Sequence, residues 1–281
     1  QQTNQLLLAE STIDKTLSLM PEHLGALLIK AQLNLKSGNL ETARNIAKQL
    51  TELDPKNSYI TELQAQVAFV DKDLDTAAAL YREVLSERET AALNIQLASV
   101  LWQQPSNKTE ATSILAQWLE KNPADILSRN VLATFYLQDK QSDNAISEFS
   151  EIVKLTPNNA TAHNNLAWLL SQRNDISAAE DHARKANELN PDNPLIMDTL
   201  GTILLHKGET STAEELLTKA SELLPENLEI QFHLAQANLK AGNKSQSEAI
   251  LKELLSDKHA TAAFSDREDA KQMLQDIQNN K

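Results

Sequence analysis

An all-α fold, built as an array of helix-turn-helix repeats, is what the sequence predicts, and three observations predict it. Prolines recur at Pro21, Pro55, Pro123, Pro157, Pro191 and Pro225, separated by 34 residues or, once, by twice that. A fixed period of this length marks stacked supersecondary units whose core is shared with neighbours rather than closed within one domain. Leu, Ala, Gln, Glu and Lys, all good helix formers, dominate a chain with only 5 Gly and 8 Pro, and no stretch alternates like a strand. Small residues also recur in phase with the prolines.

That phase divides the chain into seven blocks: 24–57, 58–91, 92–125, 126–159, 160–193, 194–227 and 228–261, with no insertion or deletion expected. The eighth residues are Ala31, Ala65, Ser99, Ala133, Ala167, Gly201 and Ala235; the twentieth are Ala43, Ala77, Ala111, Ala145, Ala179, Ala213 and Ser247. Helices whose axes approach to about 8–10 Å need small side chains at the crossing, and these two positions provide them. Larger apolar residues at helical spacing, such as Leu132, Tyr136, Phe149 and Ile152, form the expected core stripe. Gly38, Gly208 and Gly242, with Asn174 as a substitute, occupy the fifteenth position, where a left-handed residue ends the first helix. Asn57, Asp125, Asn159, Asn193 and Asn227 end their blocks as N-caps for the next helix.

Residues 1–23 supply only the second half of a block, with Ala9 in the twentieth place, so Leu6, Leu7 and Ile13 would leave an apolar face. The opening at Gln1 and this half block predict further repeats upstream, and self-association through the N-terminal helix is a second expectation. Residues 262–281 read as a polar capping helix, with Glu268 and Asp269 in otherwise apolar and small places, resting Phe264, Ala270, Leu274 and Ile277 on the seventh block.

Composition removes several function classes. A formal charge of -13 argues against nucleic acid, which needs a basic stripe against its phosphates. Without Cys there is no disulfide framework and no thiolate chemistry. The six His are dispersed, and there is neither a His-Glu-x-x-His pair nor a glycine-rich phosphate loop. His206 and His233 could approach each other across neighbouring blocks but lack further ligand spacing. No nucleophile, base and orienter assemble, so neither catalytic residues nor a cofactor or metal are expected.

Given the small eighth and twentieth residues, the aromatic or apolar Tyr81, Trp102, Tyr136 and Phe149, and the closing prolines, almost the whole chain resembles the tetratricopeptide repeat family. The resemblance implies a right-handed superhelical solenoid of antiparallel helix pairs, with first helices lining a concave groove that binds protein or peptide. Departures are local: Glu89 and His259 replace the closing proline, and Pro105 lies in the turn of the third block. The resemblance also implies that the second, fifth, sixth, ninth, twelfth and thirteenth residues of a block point into the groove. Fifth residues then include Gln96, Asn130, Asn164 and Asp198, a polar ladder. Amides both donate and accept, so a peptide backbone could be held there at about 0.5–1.5 kcal/mol net per bond; the alternative is plain solvation. Asn165 adds an amide at the sixth place, and Gln104, Gln138 and Gln172 repeat the pattern at the thirteenth. Trp168, at the ninth place, reads either as an interface anchor or as filler between adjacent first helices. Tyr59, Phe69 and Phe232 complete the candidate set. No Lys or Arg stands at the second, fifth or sixth place of any block, so a clamp for chaperone C-terminal carboxylates is not expected.

Within the family, the run from His163 through Leu170 followed by Asp198-Thr199-Leu200-Gly201 looks like the later repeats of bacterial lipoproteins linked to PEP-CTERM sorting and exopolysaccharide systems, although Thr202 stands where those relatives often carry Trp. This resemblance implies a scaffold at the periplasmic side of the cell envelope, tethered upstream through a lipidated Cys; a cytoplasmic location stays open. The alternative is a substrate-presenting or regulatory region of a larger enzyme such as a glycosyltransferase.

Overall fold

The computed structural model describes residues 2–256, 259 and 263–279, and for residues 2–10 the backbone alone. The side chains of Leu6, Leu7 and Ala9 therefore lie outside the described residues. The chain is all-α: sixteen α-helices packed in adjacent pairs, with no strand among the described residues. None of these helices is long and apolar enough to cross a membrane.

Two compact units divide the chain at Asp139 and Lys140. The first unit holds α1 (Gln2–Leu19), α2 (Leu24–Lys36), α3 (Leu40–Leu53), α4 (Ser58–Val70), α5 (Leu74–Glu87), α6 (Ala91–Trp102), α7 (Lys108–Lys121) and α8 (Ile126–Gln138). The second holds α9 (Ser142–Leu155), α10 (Ala160–Gln172), α11 (Ile176–Leu189), α12 (Pro194–Lys207), α13 (Thr210–Leu223), α14 (Leu228–Lys240), α15 (Lys244–Leu254) and α16 (Arg267–Asn279). Within each unit consecutive helices pack on one another, and first helices also touch, α2 on α4, α6 on α8, α10 on α12 and α12 on α14.

The block chemistry explains these hairpins. Asn57, Asp125, Asn159, Asn193 and Asn227 each cap the following helix, their side chains accepting from the backbone N–H of its second or third residue. In six of the seven blocks the first helix ends one or two residues before a left-handed fifteenth residue: Gly38, Gly208 and Gly242, Asn174, and also Lys72 (φ 64°) and Lys140 (φ 59°). The next residue's N–H then reaches back to a carbonyl five residues earlier, as Asp73 to Ala68 at 2.9 Å and Glu209 to Leu204 at 2.9 Å, closing the helix end. Where the two helices of a pair cross, Ala31, Ala43, Ala65, Ala77, Ala167, Ala179, Ala213 and Ala235 are wholly buried. In the last pair Ser247 Oγ donates to the Ala235 carbonyl at 2.8 Å, a contact that requires the two backbones to be close.

The expectation of an uninterrupted register fails at one boundary. Thr90, not residue 91, caps α6, accepting from Leu93 N at 3.3 Å, because the link after α5 is one residue shorter where Glu89 replaces proline. The α6 helix is therefore displaced by one position. Ala98, not Ser99, takes the wholly buried crossing place, and Ser99 is only half-buried. A 3₁₀ turn at Pro105–Asn107 absorbs the extra residue, so that α7 begins back in phase with Ala111 wholly buried. Following this shift, Ile95 rather than Gln96 occupies the fifth place, and Trp102 moves to the twelfth.

At the C-terminal end, Phe264, Ala270 and Ile277 are buried in one cluster with Leu228, Phe232, Leu251 and Leu254, with Leu274 packed against it. At the other end Ile13 of α1 is buried, and α1 packs on α2.

Candidate binding face

The first-helix residues of the second unit converge on a cavity of about 270 Å³. The α10 helix contributes Trp168, Ser171 and Gln172; α12 contributes Asp198, Thr202 and His206; α14 contributes His233 and Gln236; and Asp266 and Asp269 reach it from α16 and the turn before it. Those on α10, α12 and α14 come together because fifth, sixth, ninth, twelfth and thirteenth positions lie along one helical face. Trp168 is 45% exposed.

Asp198 Oδ1 lies 2.7 Å from His233 Nδ1. Burial disfavours a charged imidazole at His233, but the hydrogen bond to Asp198 and the carboxylates of Asp198, Asp266 and Glu229 outweigh it, and the net shift is upward. No Lys or Arg lines the cavity. Phe232 reaches this cavity only from beneath. It is 3% exposed and meets the Phe264 ring edge-on at 5.8 Å, so the expected groove aromatic is a core residue, covered by the segment leading into α16.

Asn164 and Asn165 are half-buried on α10 and do not line the cavity. The Asn164 Oδ1 atom is buried without a hydrogen-bond partner, an arrangement that is costly unless a donor arrives.

The first unit carries its candidates differently. Tyr59 is 58% exposed, with the Arg88 guanidinium 4.2 Å from its ring centroid and Arg88 paired in turn with Glu62. Phe69 packs against the core cluster of α4 to α8, with Lys72 Nζ 5.8 Å from its ring. Trp102 stacks on Phe135 with ring centroids 4.2 Å apart and planes 2° from parallel, and its Nε1 donates to Gln138 Oε1 at 2.7 Å. Lys108 Nζ sits 4.7 Å from the same indole. The Gln96 Oε1 atom is buried and unpartnered, and Asn130 spends an amide donor on its own helix, bonding the Ile126 carbonyl at 2.9 Å. The polar ladder is thus uneven: Asn130 and Asp198 are engaged internally, while Gln96 and Asn164 each keep an acceptor unused.

Sequence reasoning passed over Thr202, Gln236, Asp266 and Asp269 as a group. The ninth-place rule marks the first two; the last two stand outside the repeat register, where no periodic signal exists. His206 and His233 both line the cavity, but no cluster of three or more His, Cys, Asp or Glu suited to a metal ion occurs among the described residues.

Comparison with known proteins bears on the fold. Models of the tetratricopeptide repeat match residues 28–94, 136–199 and 204–266, together well over half of the chain. No curated protein matches it. Among solved structures, a tetratricopeptide repeat protein from Parabacteroides merdae superposes with a TM-score of 0.62 at 15% identity, over 91% of this chain and 99% of that one. A chain of the APC/C hetero-tetramer Cut9–Hcn1 gives a TM-score of 0.58 at 16% identity, over 99% of this chain and 54% of that one. MamA from Desulfovibrio magneticus RS-1 gives 0.50 at 17% identity, over 66% of this chain and 97% of that one. Such likenesses speak for the fold alone, and the fold is typically that of a non-catalytic interaction scaffold. Repeat register, helix pairing and family models agree, and the chain belongs to the tetratricopeptide repeat family.

Proposed function

We propose that the chain is a non-catalytic scaffold that captures an extended segment or a helix of a protein partner on its first-helix face, within the assembly of a bacterial envelope polysaccharide-export or protein-sorting system. Tetratricopeptide proteins generally mediate protein–protein interactions, and the observation that carries the reading here is the cavity of the second unit, where three first helices and the α16 segment present a half-exposed Trp168 among polar groups. A large, rigid ring held at a cavity rim is a typical interface anchor, because it offers much area at little conformational cost. The envelope setting is supported by the likeness of residues 163–170 and 198–201 to lipoprotein repeats of that class.

A pull-down from an envelope extract of the source organism tests this reading. The chain is compared with a variant carrying Asn130→Ala, Asn164→Ala, Asn165→Ala and Trp168→Ala, after equal helicity is verified by circular dichroism. A protein retained by the first and lost by the second is the expected result. Equal retention by both would move the binding surface to another face, and retention only of proteins from outside the envelope would remove the proposed setting.

A further inference from the structure

We propose that the Trp168 cavity is a subsite for one cationic side chain, an arginine or lysine, of the captured protein segment. The inference rests on the reading of the chain as a segment-binding scaffold and specifies the chemistry that the segment must bring.

Size sets the first limit. A space of about 270 Å³ lies just below the range of pockets that take drug-sized molecules, so it suits a single long side chain better than a cofactor or a folded element. Charge sets the second. Asp198, Asp266 and Asp269 line the space, no Lys or Arg does, and among the described residues neither Asp266 nor Asp269 forms an ion pair with a cationic side chain. Their field already acts inside the cavity: His233, although partly buried, is drawn toward its charged form by Asp198 and Asp266.

Shape and surface supply the third. Trp168 stands on the rim with 45% of its surface exposed, and a cation over an indole face is attracted by the ring quadrupole. Arginine also stacks on aromatic planes through its flat guanidinium and bonds carboxylates in pairs. Gln172 and Gln236 lie at hand for the flanking peptide amides. A carboxylate ligand would instead meet the like charges of Asp266 and Asp269, which agrees with the lack of Lys and Arg at the clamp positions of this chain.

The test selects peptides on the intact chain from a displayed library of random dodecapeptides, then titrates the selected peptides by fluorescence anisotropy against wild type, Trp168→Ala and Asp269→Lys. Both substituted residues are exposed, so the variants should remain folded, and circular dichroism checks this. The expected result is that selected peptides share an arginine or lysine, that its replacement by alanine weakens binding about tenfold or more, that Asp269→Lys does the same, and that affinity falls with added salt. Peptides that lose affinity for Trp168→Ala yet tolerate loss of the cation and Asp269→Lys would overturn the cationic subsite while leaving the binding face intact. Peptides indifferent to both variants, or no selected peptide, would overturn both.

Discussion

His163 and His182 hydrogen-bond to each other through their Nδ1 atoms, 2.9 Å apart, between α10 and α11. The other nitrogen of His163, Nε2, lies 3.1 Å from the Pro157 carbonyl and must donate to it. That fixes both tautomers: His163 Nδ1 is the acceptor and His182 Nδ1–H the donor. His163 is buried.

Stability of the second unit is therefore expected to fall in mild acid. Burial first, and the neighbouring His163 second, depress the His182 pKa, with Asp181 opposing weakly. A depressed group contributes stability that is complete above its unfolded pKa of about 6.5 and is lost as pH falls from there through the folded value. The unfolding midpoint followed by circular dichroism should drop between neutral pH and about pH 5 in wild type, and less in His182→Gln. An equal drop in both would assign the effect to other groups.

The Asp198–His233 pair should act with the opposite sign. Although burial opposes it, the Asp198 hydrogen bond leaves the His233 pKa raised, so its contribution is complete below about pH 6.5 and is lost as pH rises through the folded value. The difference in unfolding midpoint between wild type and His233→Gln should be larger in mild acid than in mild alkali. A difference that grows toward alkali would contradict the ion-paired imidazole.

How much of this was legible in the sequence depended on whether a feature repeats. The crossing alanines, the N-cap residues and three left-handed glycines stand at fixed places in the block, because each repeat meets the same local demand, and they could be read directly. The α6 shift could not. Glu89 for proline looked like a tolerated substitution, yet it accompanies a link one residue shorter, and the compensating residue is hidden in the 3₁₀ turn fifteen or so positions later. Gln96 was consequently assigned to the wrong place in the block, and the stacking of Trp102 on Phe135 went unseen. The candidate site was legible only in its periodic part: Trp168, Gln172 and Asp198 follow from register, whereas burial of Phe232 and the arrival of Asp266 and Asp269 depend on how the non-repeating α16 segment folds back.

Lys72 and Lys140 hold left-handed backbones at a place where three other blocks have glycine. An L-residue pays roughly 1–2 kcal/mol in that conformation, against about 0.5–1 kcal/mol for the greater unfolded freedom of glycine. Lys72→Gly and Lys140→Gly are thus each expected to raise stability by up to about 1 kcal/mol, while Gly208→Ala, at φ 94°, should lower it. Chemical denaturation monitored at the helical signal provides the check, and destabilisation by both lysine variants would show that their side chains, not their backbones, decide those turns.

Gly201 poses the sharpest test of the helix crossing, because sequence comparison within the chain and local packing disagree about it. Five of the seven blocks have alanine at this place, and glycine inside a helix costs about 1 kcal/mol relative to alanine, so repeat averaging recommends Gly201→Ala as a stabilising change. The structure says otherwise. A Cβ built on Gly201 would lie 2.7 Å from Leu217 Cγ and 3.1 Å from its Cδ2, and Leu217, on α13, is wholly buried. Overpacking of this kind typically costs about 1–3 kcal/mol, enough to cancel or exceed the propensity gain. Gly201→Ala should therefore be neutral to destabilising by about 2 kcal/mol. Leu217→Ala alone removes a buried side chain and should cost about 2–5 kcal/mol. In that background the clash is gone, so adding Gly201→Ala should recover about 1 kcal/mol. The double-mutant cycle isolates the contact from both single effects. Simple additivity of the two substitutions would mean that the helices shift apart at no cost, and that the fit between Gly201 and Leu217 does not set their spacing.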